Sequence, residues 1–349
     1  MTSPSNLPGP IALLGSGETS LAGGRIYESL AHQLAGPLRI AIMETPAGFE
    51  LNSAQVAGRV ADFLKTRLGN YKPVIDVIPA RKKGSAFSPD DPEILAPLLR
   101  ANFIFMGAGS PTYAIRQLQG SLAWELIRAR QRLGAALVFA SAATISIGAW
   151  AIPVYEIYKV GQDVYAAPGL DLFASFGLRL SCVPHWNNTD GGADVDTSRC
   201  FIGMERFAEW CRSASPENTI LGLDEHTGVI LDFAKQECRV SGVSSVSLVR
   251  ACDPEMYPSG SIFSFTDLGL GSAPVADIAP NAWEMALSVE TTPPETVGQP
   301  PLELVALADE REKARQAKDW SQADSLRKQI QAAGWAVLDT PEGPRLSRV

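Results

Sequence analysis

Gly134–Val154 reads GAALVFASAATISIGAWAIPV and runs 21 residues without a charge. That is long enough to cross a bilayer. The stretch is nevertheless rich in Ala, Gly, Ser and Thr, and Pro153 sits near its end. The alternative is a buried strand, Ala136–Ala140, that turns at Ser141 into a buried helix. This second reading governs the expected fold, because similar short apolar runs lie upstream. Ile11–Leu14, Leu38–Met43, Val74–Ile78 and Phe103–Met106 each read as a strand. The segments between them, around Tyr27–Leu34, Val56–Leu68, Glu93–Arg100 and Tyr113–Ala129, carry helical periodicity. Predominantly apolar strands alternating with helices imply an α/β fold with a mostly parallel sheet covered on both faces. Ligands of such sheets bind beyond the carboxyl ends of the strands. Gly107-Ala-Gly109-Ser-Pro111 and the turn at Ser141 both fall at that edge.

Past Ser181 the texture changes. The polar segment Asn187–Ser198 is followed by strand-like runs at Thr219–Leu223, Thr227–Leu231 and Val243–Arg250, read as the far side of the same domain. Residues 288–301, SVETTPPETVGQPP, are Pro-rich and read as a linker. Beyond it, Leu304, Leu307 and Arg311 open one helix. Ala323, Leu326, Ile330 and Ala333 stripe a second, with Ser321 and Asp324 as a capping box and Gly334 as its stop. The expected organisation is a main domain over 1–287, a linker over 288–301 and a helical hairpin over 302–349.

Composition narrows the function. Hydrophobic residues make up 46% and charged residues 19%, which excludes a disordered or fibrous chain. The formal net charge of −8 argues against a protein that works mainly by gripping phosphate backbones. The five cysteines form no C-x-x-C pair, and the three histidines have no metal-type spacing. We expect a reduced cytoplasmic protein with no metal and no cofactor. The start carries no signal-peptide core, and no membrane association is expected. Homo-oligomerisation is left open.

Ser141 ends an apolar strand. A hydroxyl at a strand-to-helix turn is lifted out of the sheet, and the Ala142 N–H beside it is placed to receive an oxyanion. The bland alternative is a packing serine. A serine nucleophile needs a base, and His185 follows a strand-like run at Leu178–Val183. Gly15-Ser-Gly17-Glu18 is either an anion cradle or a tight turn lining the site. It has neither the third glycine of a dinucleotide loop nor the Lys-Ser/Thr of a P-loop. Cys200 is either a nucleophile or a small buried residue. Trp186 and Tyr155 either pack or line the site.

Phe105-Met-Gly-Ala-Gly-Ser-Pro-Thr-Tyr113 with Gln117-Leu118, then Phe139-Ala-Ser-Ala-Ala143, Val183-Pro-His185 and Gly222-Leu-Asp-Glu225 follow in order. Over roughly residues 10 to 270 the chain resembles the serine peptidases of the dipeptidase E and cyanophycinase family, relatives of class I glutamine amidotransferases. The resemblance implies a flavodoxin-like doubly wound domain and a Ser-His-acid triad that cleaves a small peptide or amide. Ser141 takes the place of the nucleophile, His185 of the base and Glu156 of the acid. Gly109 takes the place of the oxyanion glycine, paired with Ala142. Glu225 competes with Glu156 for the acid's place, or is a structural carboxylate. Gly17, Glu18, Ser110, Trp186, Asn187 and Glu225 are candidate substrate contacts. The family's elbow is Gly-x-Ser-Ala-Gly, and Phe139 and Ala143 replace both glycines here. The arginines that follow the family's His are replaced by Trp186-Asn-Asn-Thr-Asp190. A binding protein that kept the scaffold and lost turnover is therefore the rival expectation.

The tail resembles the C-terminal segment of cysteinyl-tRNA synthetases, through Asp309-Glu-Arg-Glu-Lys-Ala-Arg315, Lys318-Asp-Trp320, Ala323-Asp324 and Asp339-Thr-Pro-Glu-Gly343. The synthetase signatures His-Ile-Gly-His and Lys-Met-Ser-Lys-Ser are absent, so aminoacylation is not expected. From residue 302 onward eight basic residues balance eight acidic ones, which gives little non-specific attraction to RNA. Docking or protein contact is the first expectation for the tail, and tRNA contact the second.

Overall fold

The structure is a computed structural model and describes residues 7–214, 217–250, 253–269, 278–291, 302–317, 319–340 and 343–348. The chain divides into two compact units, Met1–Val289 and Glu290–Val349.

The first unit opens with β1 (Ile11–Leu14), α1 (Leu21–Gln33), β2 (Arg39–Met43), α2 (Ser53–Arg67), β3 (Val74–Ile78), α3 (Pro92–Arg100) and β4 (Phe103–Met106). It continues through α4 (Pro111–Leu118), α5 (Leu122–Arg132), β5 (Ala136–Ala140) and the single turn α6 (Ala142–Ser146). Side-chain caps start α1, α3, α4 and α5: Ser20, Asp91, Ser110 and Ser121 each accept a backbone N–H of the first turn. Strands β1, β5, β4, β2 and β3 lie parallel, in that order. Their side chains alternate between two cores. Ala12, Ile40, Phe105 and Val138 face α1 and α2, in the cluster holding Tyr27 and Leu64. Leu13, Ala41, Met106 and Phe139 belong to the larger cluster that holds Leu98 and Leu126 of α3 and α5. Gly134–Val154 supplies β5, the turn and α6, and no helix among the described residues is long and apolar enough to cross a membrane.

The second half departs from a single sheet. A short pair, β6 (Trp150–Ala151) and β7 (Ala167–Pro168), brackets α7 (Val154–Tyr158). Then come β8 (Leu180–Val183), α8 (Gly203–Ser213), β9 (Thr219–Leu223), β10 (Thr227–Asp232), β11 (Glu237–Gly242), β12 (Ser245–Arg250), β13 (Asp253–Pro258), β14 (Ile262–Ser264) and α9 (Pro280–Thr291). Strands β10, β11 and β14 extend the first sheet antiparallel from β1. Strands β13, β12, β9 and β8 form a second sheet, in which β8 and β9 run parallel. The mostly parallel central sheet is as expected, and a second, four-stranded sheet is added to it in the same unit. Three residues, Asp224 to His226, carry the chain from β9 in one sheet to β10 in the other. That turn is pinned by buried Asp224, which accepts from Ser244 Oγ at 2.6 Å and Ser245 N at 3.1 Å.

The second unit holds α10 (Leu302–Gln316), α11 (Trp320–Ala332) and the hairpin of β15 (Trp335–Thr340) with β16 (Gly343–Arg348). Leu304, Ala308, Ile330 and Trp335 form its core. The helix pair is as expected and the β-hairpin was not. The cap of α11 is Asp319, which accepts from Gln322 N at 3.0 Å, in place of the expected Ser321 box. Of the expected linker, 288–291 belong to α9 and 292–301 lie outside the described residues.

Candidate active site

Five strand ends converge. Ser141 follows β5, the Gly15–Glu18 loop follows β1 and the Gly107–Ser110 loop follows β4, all from the first sheet. His185 follows β8 and Glu225 follows β9 in the second, and their parallel pairing brings both residues to the same edge. Backbone hydrogen bonds join the groups: Ser141 N to Leu14 O at 3.4 Å, His185 N to Gly15 O at 3.2 Å and Ala143 N to Gly107 O at 3.2 Å.

Ser141 has φ 52° and ψ −118°, a conformation a side chain rarely adopts outside a sharp elbow. Its Oγ lies 3.0 Å from His185 Nε2, and His185 Nδ1 lies 2.8 Å from Glu225 Oε1. A neutral imidazole protonated on Nδ1 satisfies both contacts. It donates to Glu225 and leaves Nε2 to accept from the hydroxyl, a tautomer assigned from this network. Phe139 does not cover the serine. Its ring lies in the core, 1% exposed, while Ser141 stays partly accessible.

Glu156 stands elsewhere. Its Oε1 accepts from Thr112 Oγ1 at 2.6 Å, so the resemblance's acid position is corrected: the carboxylate on the imidazole is Glu225. The reason is topological. Glu156 lies in α7 beside the start of α4, whereas Glu225 sits in the turn between the two sheets. Two asparagines hold that turn. Asn187 Oδ1 accepts the Glu225 N–H at 2.8 Å, and Asn188 Nδ2 donates to Glu225 Oε1 at 3.0 Å. Asn187 therefore supports the turn that carries Glu225. Burial disfavours the charged form of Glu225. The hydrogen bonds from His185 and Asn188 and the neighbouring imidazoles of His185 and His226 outweigh burial, and the carboxyl titrates below its ordinary range.

The Gly109 and Ala142 N–H groups have no acceptor among the described residues. Gly109 adopts φ 146°, and a Cβ there would meet Pro46 O at 2.0 Å. Only glycine lets this loop pass Pro46, whose carbonyl also accepts from Ser110 N at 3.0 Å. Because α6 is a single turn, what it offers an oxyanion is the Ala142 N–H itself, not a helix dipole.

Ser110 caps α4 through its hydroxyl, at 3.2 Å from Tyr113 N. Gly17 packs under His226, and the Glu18 carbonyl accepts from Tyr27 OH at 2.8 Å. Trp186 is buried, its indole laid on β9 where a Cβ at Gly222 would meet the ring at 2.4 Å. It packs and does not line the site. Cys200 is buried, and burial pushes its thiol well above its ordinary range, with the Glu225 charge adding to the shift. Among the described residues no group of three His, Cys, Asp or Glu side chains is placed to hold a metal. Asn188 and Phe201 were not among the expected site residues. The Asn187-Asn188 pair, one residue beyond His185, was the legible signal for the first, and Phe201 had none.

The comparisons with known proteins fall into two groups. A crystal structure of a peptidase from an acI-B1 Actinobacterium superposes with a TM-score of 0.59 at 18% identity, covering 75% of this chain and 98% of that one. The first unit is similar in fold to a peptidase. A putative peptidase E protein from Listeria monocytogenes aligns at a TM-score of 0.42 and 14% identity over 72% of this chain and 98% of its own. In the tail, residues 301–343 match the family described as the cysteinyl-tRNA ligase anticodon binding domain. Cysteine–tRNA ligase of Opitutus terrae is 38% identical over 84 residues, 24% of this chain and 18% of the ligase. Cysteine–tRNA ligase 1 of Burkholderia lata is 58% identical over 41 residues, 12% of this chain and 9% of the ligase. The chain therefore spans less than a fifth of either curated relative.

Proposed function

We propose that the first unit is a serine hydrolase that cleaves a small peptide or amide, on a flavodoxin-like scaffold related to class I glutamine amidotransferases. The observation that carries this reading is the continuous chain from Ser141 Oγ through His185 to Glu225, at 3.0 and 2.8 Å. Ser141 Oγ attacks the carbonyl carbon while His185 Nε2 takes its proton. Glu225 holds the tautomer and supports the imidazolium charge. The oxyanion is received by the N–H groups of Gly109 and Ala142. Collapse expels the amine, protonated by His185, and leaves an acyl ester on Ser141. Water, deprotonated by His185, then releases the acid. The reading includes a reduced cytoplasmic location and needs no cofactor. A fluorophosphonate probe tests it: wild type should label and Ser141→Ala should not. A folded wild type that stays unlabelled overturns it.

A second reading gives the chain a binding role, with residues 302–349 contacting tRNA or a translation factor. It is favoured by the match of residues 301–343 to the anticodon binding domain. Gel-shift of bulk tRNA by the full chain at micromolar protein tests the tRNA contact. Absence of any shift at low salt removes it.

A further inference from the structure

Resting on the hydrolase reading, we propose that the groove beside His185 is the subsite for the departing amine, and that it selects an amino acid with a bulky aromatic or aliphatic side chain. The groove, about 460 Å³, is lined by Val154, Tyr155, Tyr158 and Phe201, with Lys159, Asp190 and Thr197 at its polar edge. Its position assigns its occupant. In acyl transfer to a serine the imidazole gives its proton to the leaving nitrogen, so the substituent on that nitrogen extends along the histidine side of the site. The Phe201 ring lies 5.2 Å from the His185 ring and 6.0 Å from the Tyr158 ring, which makes the groove continuous with the base.

The backbone that places Phe201 is unusual. Arg199, Cys200 and Phe201 have φ 57°, 60° and 69°, three consecutive left-handed residues that all carry a Cβ. The surroundings hold the turn in place. Arg199 N donates to Trp186 O at 3.0 Å, Cys200 N to His185 O at 3.1 Å and Phe201 N to Thr197 O at 2.9 Å. The Arg199 guanidinium lies 3.8 Å over the Trp186 ring and donates to Trp186 O at 2.7 Å. Strain maintained this firmly next to a reacting group marks a functional surface. The effect of the turn is to set an aromatic ring against the imidazole, tilted 46° to it.

The test is competition for fluorophosphonate labelling of the full chain by alanyl dipeptides whose second residue is Gly, Glu, Lys, Leu, Phe or Tyr. Labelling expels only fluoride, so it reports Ser141 without needing an amine. The Leu, Phe and Tyr peptides should block labelling at concentrations about tenfold lower than the Gly and Glu peptides. Relative to each variant's own labelling rate, that preference should shrink to about threefold or less in Phe201→Ala and in Tyr158→Ala. Labelling with flat competition across the series, including no competition by any peptide, overturns the proposal. So does a preference that survives both substitutions. Failure of the wild type to label at all sinks the hydrolase reading itself, and this inference with it.

Discussion

Asn188 donates to the same oxygen of Glu225 that receives the His185 Nδ1 proton, at 3.0 Å against 2.8 Å. Asn188 is 2% exposed, and its own Oδ1 accepts from Asp190 N at 3.1 Å. The asparagine is therefore fixed at both ends and holds the carboxylate against the imidazole. Asn188→Ala should slow fluorophosphonate labelling of Ser141 about tenfold, the equivalent of one hydrogen bond to a charged group. Asn188→Asp should slow it further, because it sets a second carboxylate beside Glu225. Folded variants of both that label at the wild-type rate would show that Asn188 has no part in positioning the acid.

The two candidate acids separate by substitution. Glu225→Gln leaves the size of the side chain nearly unchanged and removes the charge that fixes the histidine tautomer. Turnover of a cleaved amide should fall by about 10⁴. Glu156→Gln alters a group that contacts Thr112 and should leave the labelling rate within about threefold of wild type, a change below 1 kcal/mol. The opposite ranking, measured as second-order labelling rates, would return the acid's role to Glu156.

The depressed Glu225 carboxyl fixes the sign of a pH effect. A carboxyl that titrates lower in the folded chain than in the unfolded one contributes stability fully above the unfolded value, about 4.3. That contribution is lost as pH falls through the folded value. The difference in urea midpoint between wild type and Glu225→Gln should therefore be larger at pH 7 than at pH 3. A difference that grows on acidification contradicts the network described for Glu225.

Phe139 offers a test that keeps packing apart from chemistry. Its ring is fully buried in the core shared by β5, α3 and α5. Phe139→Ala should cost about 3–5 kcal/mol of unfolding free energy. At a temperature where the variant remains folded, Ser141 should still label. Loss of labelling with little loss of stability would mean that the ring shapes the site directly.

Much of the first half of the fold is readable as sequence. The limits of β1, β3, β4 and β5 follow from apolar runs too short for helices, and the intervening helices from their periodicity and caps. The eventual neighbours of Ser141 are less legible. Glu237–Gly242 alternates only weakly, and Asp253–Pro258 carries two prolines, so β11 and β13 leave faint local marks. Without β11 the antiparallel side of the first sheet is incomplete, without β13 the second sheet is, and the turn holding Glu225 runs between those two sheets.

The sequence by itself determined the α/β class, the serine at the end of β5, the histidine after β8 and the helix pair of the tail. These depend on local periodicity, turn chemistry and side-chain size, which act over a few residues. Only the tertiary structure decided that Glu225 and not Glu156 meets the imidazole, that Asn188 supports it and that Phe201 lies along the histidine. Those relationships join positions 40 residues apart for His185 and Glu225, and 16 apart for His185 and Phe201. They arise because two parallel strands of a separate sheet end at the same edge, a long-range pairing that local sequence does not encode.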